Sequence, residues 1–357
     1  MRHKILPALL LLLCGMLMAE NFPVPMLDTP PLSYVCFKPV MYITVDGNLD
    51  EPDWLQTPWT SSFVGIEDGL QPESPLNTRV KMLWNNQGLY IAARMEDPHV
   101  WGSVTENDSD LSADSFLSIY IDPDGDNHDY FRLDVNALGT VADRFIIRPP
   151  RDGNTSLKGW DLRGWEHAVT VEGTPNDPSD TDLEWTIEML LPWESLSAFA
   201  NQPCPPQEGD LWRMNFRRGQ REYEIEDGQY TAIADKPANQ LVWSPQGIAD
   251  MDYPERWGYL LFTTNRVGVF HAGFEIPAAE KAREYLSRIY YAQKQYWLDK
   301  GKYAQNLSEL ALEPFTLGRK AITPSIETTS RSFLAILQLD NSQALMVTED
   351  GRISNLN

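Results

Sequence analysis

Basic residues and cysteine are scarce in this chain of 357 residues. Lysine and arginine together number 29, against 51 aspartates and glutamates, which gives a formal net charge of −22 at pH 7. Such a charge disfavours nucleic acids and anionic lipid as partners, because their phosphates would be repelled. The chain has three cysteines. Two of them, Cys36 and Cys204, could pair in an oxidising compartment or remain buried free thiols, and the sequence leaves both possibilities open.

Long apolar runs are missing after the N-terminus. Two basic residues precede an apolar run at 9–18, and Ala19 offers a small residue for cleavage. This layout is typical of a secretory signal peptide and is too short for a membrane span. We therefore predict a signal peptide at 1–19 and a secreted or periplasmic protein without integral membrane association. Bulky Leu13 stands before Cys14 where lipidation signals have a small residue, which argues against a lipoprotein.

Common hydrolase motifs are also missing. The sequence contains neither HExxH nor GxSxG, and its five histidines are scattered. A glycosidase would need two carboxylates that face each other across a cleft, one of them with a raised pKa. A sequence cannot show such a pair, so we assign no catalytic residue and expect no enzyme.

Aromatic residues and proline, in contrast, are plentiful, with 12 Trp, 14 Tyr and 26 Pro. Alternating apolar and polar residues predict strands at 79–84, 89–96, 116–121, 130–136, 141–147, 167–171, 184–190, 211–218 and 257–262. A short helical turn is predicted at 192–199. Strands at this spacing without intervening helices predict an all-β fold, an antiparallel β-sandwich of about 200 residues.

Composition divides the chain into further segments. Residues 20–38 are rich in proline and are predicted to be a linker, and the sandwich is predicted to span 39–265. A second linker is predicted at 266–276. Residues 277–357 show helical spacing and then a hairpin pattern, which predicts a small C-terminal α+β appendage. This appendage could dock a protein partner or the sandwich.

Three predicted strands carry one apolar face and one face rich in hydrogen-bonding groups. In 130–136, for example, Phe131, Leu133 and Val135 alternate with polar residues. The polar faces place these candidate ligand-binding residues on one surface: Tyr120, Arg132, Asp134, Asn136, Asn215 and Arg217. Planar hydrogen-bonding groups and aromatic rings match the hydroxyls and flat faces of sugars. An ordinary solvated sheet face is the alternative, and the pattern alone does not decide between them.

Several ordered stretches carry a family resemblance. They are "DGNLDEPDW" (46–54), "TRVKMLWNNQGLYIAARMEDPHVW" (78–101), "DPDGDNHDYFRLDVNALGT" (122–140), "GTPNDPSDTDLEWTIEMLLPW" (173–193) and "WSPQGIADMDYPERWGYLLF" (243–262). Together they resemble the family 9 carbohydrate-binding modules, and more closely the exported family-9-like proteins of bacteria. The resemblance covers about residues 40–263. It implies a β-sandwich, structural calcium ions and sugar binding on a concave sheet.

The resemblance transfers to this chain only in part. Arg132 and Asp134 fall where sugar-binding members place an arginine and an asparagine that bond ring hydroxyls, and Asn215 falls where they use another amide. Ser118, however, stands in place of a ligand-binding glutamate. The two aromatic residues that sandwich the sugar are replaced, near Ser112 and at Met251.

Three tryptophans are candidates to replace the missing aromatics. Trp101, Trp243 and Trp257 lie within the resembling part of the chain. Each could instead belong to the core. Of the three, Trp101 is our candidate ligand-binding residue.

Two acidic loops are candidate metal sites. The first contains Asp122, Asp124, Asp126 and Asp129, and the second contains Asp177, Asp180 and Asp182. Calcium takes six to eight oxygen ligands in irregular geometry, and a cation would relieve the repulsion between crowded carboxylates. An aspartate- and glycine-rich turn without metal is the alternative. With the resemblance added, we predict structural calcium in at least one of the loops.

The sequence thus predicts an exported, calcium-stabilised protein that binds a saccharide or polysaccharide without catalysis. One alternative is a glycoside hydrolase acting on O-glycosyl bonds, or its accessory subunit in carbohydrate catabolism. Another is a surface interaction protein that has lost sugar binding, which the missing aromatic residues favour.

Overall fold

The computed structural model describes most of the chain. The described residues are 21–72, 76–153, 155–157, 159–198, 200–269, 273–340 and 342–356. The predicted signal peptide, including Cys14, lies outside them, so export stays a prediction. Within these ranges, no helix combines the length and the apolar character that crossing a membrane requires.

Two packed β-layers form the larger part of the fold. Their strands are β1 (Ser33–Lys38), β2 (Val64–Gly65), β3 (Thr78–Trp84), β4 (Gly88–Glu96), β5 (Phe116–Asp122), β6 (Tyr130–Asn136), β7 (Val141–Arg148), β8 (Thr155–Leu157), β9 (Glu166–Glu172), β10 (Glu184–Pro192), β11 (Leu211–Gln220), β14 (Asn239–Val242) and β15 (Gly258–Arg266). Between β11 and β14, β12 (Tyr223–Glu226) and β13 (Gln229–Ala232) form a separate two-stranded sheet. Two short helices accompany them, α1 (Pro52–Gln56) and α2 (Trp193–Ser197). The predicted all-β sandwich is confirmed.

Strand β1 connects the two layers. The first layer has the order β8-β7-β6-β5-β11-β15-β1 and the second has the order β1-β3-β4-β10-β9, while β14 and β2 extend the first layer beside β11. The pairs of β1 with β15 and with β3 are parallel. Residues 33–38 fall within the predicted linker, but their "YVCF" contains the β-branched and aromatic residues that favour a strand.

The main core lies between the layers, because each strand turns its apolar residues inward. Inward residues of β5 and β6 are Leu117, Ile119, Ile121, Phe131, Leu133 and Val135, and those of β4 and β10 are Leu89, Ile91, Ala93, Ile187, Met189 and Leu191. At one edge of this core, the buried Arg218 guanidinium bonds Asp97 (3.1 Å). Cys36 and Cys204 are free thiols, the first buried and the second half-buried.

The rest of the chain forms what we call the C-terminal unit. It contains α3 (Ala278–Lys300), β16 (Phe315–Leu317), β17 (Lys320–Ile322), β18 (Ser325–Thr328), β19 (Phe333–Gln338), β20 (Ala344–Thr348) and β21 (Ile353–Asn355). Helix α3 ends at Gly301, whose φ of 66° is left-handed. The predicted hairpin is β19–β20, but β18 and β21 flank it to make a four-stranded sheet. This agrees with the predicted α+β appendage.

The C-terminal unit packs on the first layer of the sandwich. Arg213 of β11 pairs with Glu280 of α3 (Nη2 to Oε2, 2.9 Å). Arg283 of α3 donates to the carbonyl oxygen of Gly125 in the first acidic loop (2.9 Å). Tyr253 of the sandwich belongs to the same buried apolar cluster as Leu286 of the helix. Apolar and charged contacts therefore both hold the unit in place.

Candidate functional site

A cleft of about 480 Å³ opens on the first layer, where β5 begins and where β6 and β11 end. We call it the arginine cleft. Its polar lining residues are Asp110, Ser112, Arg132, Asp134, Arg217, Arg221 and Gln240. The cleft lies at the polar face that alternation in the sequence predicts, and it contains three of the predicted ligand-binding residues, Arg132, Asp134 and Arg217.

A continuous hydrogen-bonded row forms part of the cleft wall. The Arg132 guanidinium bonds the Asp134 carboxylate through two nitrogens, Nε to Oδ1 (3.1 Å) and Nη2 to Oδ2 (2.8 Å). Ser118 donates to Asp134 Oδ1 (2.5 Å) and accepts from Arg217 Nη2 (3.0 Å). Asp134 is buried, whereas the side chain of Arg132 is 23% exposed. The buried Asp134 therefore fixes the position of the row, and the partly exposed Arg132 is accessible from the cleft.

Tyr120 lies beneath this row and not in the cleft. Its ring is 1% exposed and packs against Trp257, with ring centroids 5.4 Å apart. Trp257 and Met251 belong to the same buried cluster, so the segment leading into β15 covers this part of the sheet face. Arg132 and Arg217 lie 5.7 and 5.9 Å from the Tyr120 ring centroid. Tyr120 therefore contacts the two arginines of the cleft and does not itself line the cleft, as the predicted ligand contact would require.

Two predicted ligand-binding amides are fully buried and already have partners. Asn136 donates to Val104 O and Asp114 Oδ2, both at 2.8 Å. Asn215 donates to the carbonyl oxygen of Ser244 (2.8 Å) and accepts from the Ser244 amide (3.0 Å). Both amides hold loops to the sheet, and neither lines the arginine cleft.

Trp101 lies elsewhere in the fold. It is 3% exposed and stacks on Tyr230 of β13, with ring centroids 6.2 Å apart. Trp243 and Trp257 are buried as well. Among the described residues, Phe116 is the one aromatic side chain that lines the arginine cleft, and the Arg217 guanidinium lies 5.0 Å from its ring centroid.

The first acidic loop brings three of its four aspartates together. Carboxylate oxygens of Asp122, Asp124 and Asp126 lie within 4.8 Å of one another. Burial raises the pKa of Asp122 well above its usual value, and the charges of Asp124 and Asp126 raise it further. Burial and the neighbouring Asp124 raise the pKa of Asp126 to about 6. This excess of negative charge fits a divalent cation, and these three residues are the ones that could hold it.

Asp129 is not part of that group and pairs with Arg352 of the C-terminal unit, whose Nε also lies 3.5 Å from Asp126 Oδ2. The second loop is arranged differently from the first. Asp182 is buried and accepts backbone amides of Val100 (2.7 Å) and Thr174 (2.7 Å). Asp177 accepts from Ser179 within its own turn, and Asp180 is exposed. Among described residues the three do not form a group of converging ligands.

Sequence reasoning missed several features of the surface. Arg221, Asp110 and Gln240 line the arginine cleft from outside the predicted strands or at their ends, so alternation gave no signal for them. A larger hollow of about 660 Å³ lies beside α2. Its Trp160 ring packs against Phe131 (5.2 Å between centroids), so the ring supports the core.

The architecture is that of a two-layer β-sandwich module with an open polar cleft on one layer. Residues 45–204 match the family model for carbohydrate family 9 binding domain-like proteins. The resemblance seen in the sequence is confirmed. The matched segment includes Arg132, Asp134 and the first acidic loop. It ends before β11, which carries Arg217.

Similar solved structures include proteins from two bacteria. A proposed carbohydrate-binding protein from Bacteroides uniformis is 16% identical, with 65% of this chain and 99% of that chain covered and a TM-score of 0.48. A family 9 carbohydrate-binding module from Caldicellulosiruptor kristjanssonii was solved with cellotriose (12% identity, 68% and 100% covered, TM-score 0.42) and with glucose (14%, 67% and 100%, TM-score 0.40). Among curated proteins, no sequence match was found.

Proposed function

We propose that this chain is an exported, non-catalytic protein that binds a saccharide in the arginine cleft. The row from Arg132 through Asp134 and Ser118 to Arg217 carries the proposal. The four side chains lie on β5, β6 and β11 and fix one another through hydrogen bonds. They therefore lose little conformational freedom when a ligand binds. Guanidinium and carboxylate groups match the paired hydroxyls of a sugar ring. The match of residues 45–204 to the model for carbohydrate family 9 binding domain-like proteins supports the same function.

The carboxylates of the cleft favour binding over glycoside hydrolysis. A general acid needs a raised pKa. Hydrogen bonds from the backbone and side chain of Ser112 instead lower the pKa of Asp110. Both carboxylate oxygens of Asp134 are engaged within the row, by the Arg132 fork and by the Ser118 hydroxyl.

A surface interaction protein without sugar binding is the second candidate. One observation favours it: the tryptophans that could sandwich a sugar, Trp101, Trp243 and Trp257, are all buried. Sugar binding in the arginine cleft would therefore depend on polar contacts and not on stacking.

Calcium and export complete the proposal. We infer that Asp122, Asp124 and Asp126 hold one calcium ion, which would neutralise their charge and fix the loop between β5 and β6. The signal peptide predicted at 1–19 would direct the protein to the periplasm or outside the cell.

The test uses the purified protein without its predicted signal peptide on an array of glycans, followed by calorimetric titration of the best ligand. We expect saturable binding and no turnover when the same protein is incubated with a panel of glycosides. Turnover would establish the hydrolase alternative. An array without any bound glycan would favour the interaction protein.

A further inference from the structure

The arginine cleft has an unusual charge for this chain. Acidic residues outnumber basic ones by 51 to 29 over the whole sequence. The charged residues that line the cleft, in contrast, are three arginines and two aspartates. Because salt screens exposed charges beyond about 8 Å at physiological ionic strength, a ligand in the cleft responds to these nearby groups more than to the net charge.

The charge of Arg132 is neutralised by an ion pair. Its fork faces the Asp134 carboxylate, so the two charges cancel locally. Arg217 forms no such fork, although its charge interacts with that of the buried Asp252. Among the described residues it forms no ion pair, and its guanidinium donates to the neutral hydroxyl of Ser118. Its Nε atom is buried without a hydrogen-bond partner.

Arg221 also has no ion-pair partner among the described residues. It donates to the carbonyl oxygens of Lys236 and Ile233, which are neutral acceptors. No carboxylate of the described residues pairs with it, and its Nε atom also lacks a partner. Asp110, the remaining acid of the cleft, is exposed at the rim and is bonded within its own turn to Ser112.

Packing explains only part of the position of Arg217. Its guanidinium covers the ring of Phe116 at 5.0 Å, and long side chains often shield apolar surface in this way. Stacking on Phe116 leaves the Nε–H group of Arg217 without a hydrogen-bond partner. Packing alone therefore does not explain why two arginines without acidic partners line one cleft of an acidic protein.

We propose that the arginine cleft selects an acidic saccharide, one whose ring carries a carboxylate or a sulfate ester, with the anionic group bound by Arg217 and Arg221. This inference rests on the proposed function and specifies its ligand class. The planar guanidinium bonds carboxylate or sulfate oxygens through two parallel N–H groups. Phe116, the aromatic residue that lines the cleft among those described, is covered by Arg217, so charge-assisted hydrogen bonds are the strongest contacts that the cleft offers.

The experiment compares ligands that differ only in charge. The protein is titrated with a uronic-acid oligosaccharide and with the same oligosaccharide after reduction of its carboxyl groups to primary alcohols. A sulfated oligosaccharide and its desulfated form make the second pair. We expect at least about tenfold tighter binding of the acidic member of one pair, the change expected for one charge-assisted hydrogen bond. Which pair shows the difference identifies carboxylate or sulfate as the group.

Variants test the residues. Arg217→Gln should reduce the preference for the acidic member at least about tenfold, and Arg217→Lys, which keeps the charge without the fork, should give an intermediate loss. Arg331→Gln removes an equal charge at an exposed turn of the C-terminal unit and should leave the preference unchanged. A thermal melt of each variant shows that it is folded.

The outcomes separate this inference from the proposed function. Equal affinity for both members of each pair would overturn the acidic preference and leave saccharide binding intact. Selection of a neutral glycan by the array, with no binding of acidic ones, would do the same. Failure to bind any glycan would overturn both.

Discussion

The hydroxyl of Tyr290 in the C-terminal helix lies 2.8 and 2.7 Å from the two carboxylate oxygens of Asp152, a residue 138 positions earlier in the sandwich. Asp152 also pairs with Lys294 of the helix (2.8 Å) and with Arg151 beside it (3.3 Å), and its side chain has no exposed area. A buried carboxylate with two cationic partners from different parts of the chain joins the C-terminal unit to the sandwich.

Replacing that carboxylate should destabilise the whole protein. In Asp152→Ala, Lys294 loses its charged partner while Arg151 keeps Glu255 (3.0 Å), so we expect a cost of about 3 kcal/mol, the lower end for breaking a buried ion pair. The free energy of unfolding, measured by urea denaturation, checks this. Asp50→Ala, at an exposed position, is the control and should change stability by less than about 0.5 kcal/mol. Equal stability of the two variants would show that the junction contributes little.

A fragment that ends at Asn265 should fold but melt at a lower temperature than the full chain. The sandwich keeps its own core between the two layers. It loses the partners of Arg213 and Tyr259, which are Glu280 (2.9 Å) and Glu284 (2.8 Å) in α3. Circular dichroism and a thermal melt of both proteins test this. An insoluble or non-cooperative fragment would mean that the sandwich requires the C-terminal unit to fold.

Much of the fold follows from local sequence patterns. Strand β6 has the predicted bounds 130–136, and α3 ends at the predicted Gly301, since alternation and a left-handed glycine act within a few residues. The parallel strand β1 was missed, because its neighbours β15 and β3 are remote in the sequence and the preceding prolines suggested a linker.

The site was less predictable than the fold. Alternation gives the side of a strand on which Tyr120 or Asn215 lies, but not what covers that side. Trp257 covers Tyr120, and a loop carrying Ser244 takes up the amide of Asn215. The positive charge of the cleft could not be predicted from strand alternation either, because Arg221 lies beyond the end of β11. Only tertiary contacts bring these groups together.

Calcium should raise the melting temperature, and a chelator should lower it. The crowded carboxylates of Asp122, Asp124 and Asp126 repel one another without a cation. A ligand at a hundred times its dissociation constant stabilises the folded state by about 2.7 kcal/mol. Thermal melts with and without chelator, together with elemental analysis, measure the effect.

Variants locate that calcium site. Asp124→Asn removes one charge of the converging group and should reduce the response to calcium. Asp177→Asn in the second loop, where no ligands converge among described residues, is the matched control and should respond like the wild type. If chelation leaves the midpoint unchanged and no metal is found, the calcium proposal is wrong. A loss of response in Asp177→Asn alone would move the ion to the second loop.

Arg132 offers the most direct test of the sheet face. Its side chain is partly exposed to the cleft, while its fork holds the buried Asp134. A ligand contact predicts that Arg132→Ala weakens binding by about 1.5–3 kcal/mol, since the lost bonds involve a charged group. A purely structural pair predicts a loss of stability with nearly unchanged affinity. Because Asp134 keeps the Ser118 hydroxyl, we expect a cost in stability of about 1 kcal/mol together with the loss of binding. Calorimetric titration with the glycan chosen by the array, alongside a urea denaturation curve for each protein, separates the two roles. Unchanged affinity with lowered stability would show that Arg132 is not part of the binding site. Saccharide binding in the cleft would then depend on the two other cationic groups, Arg217 and Arg221.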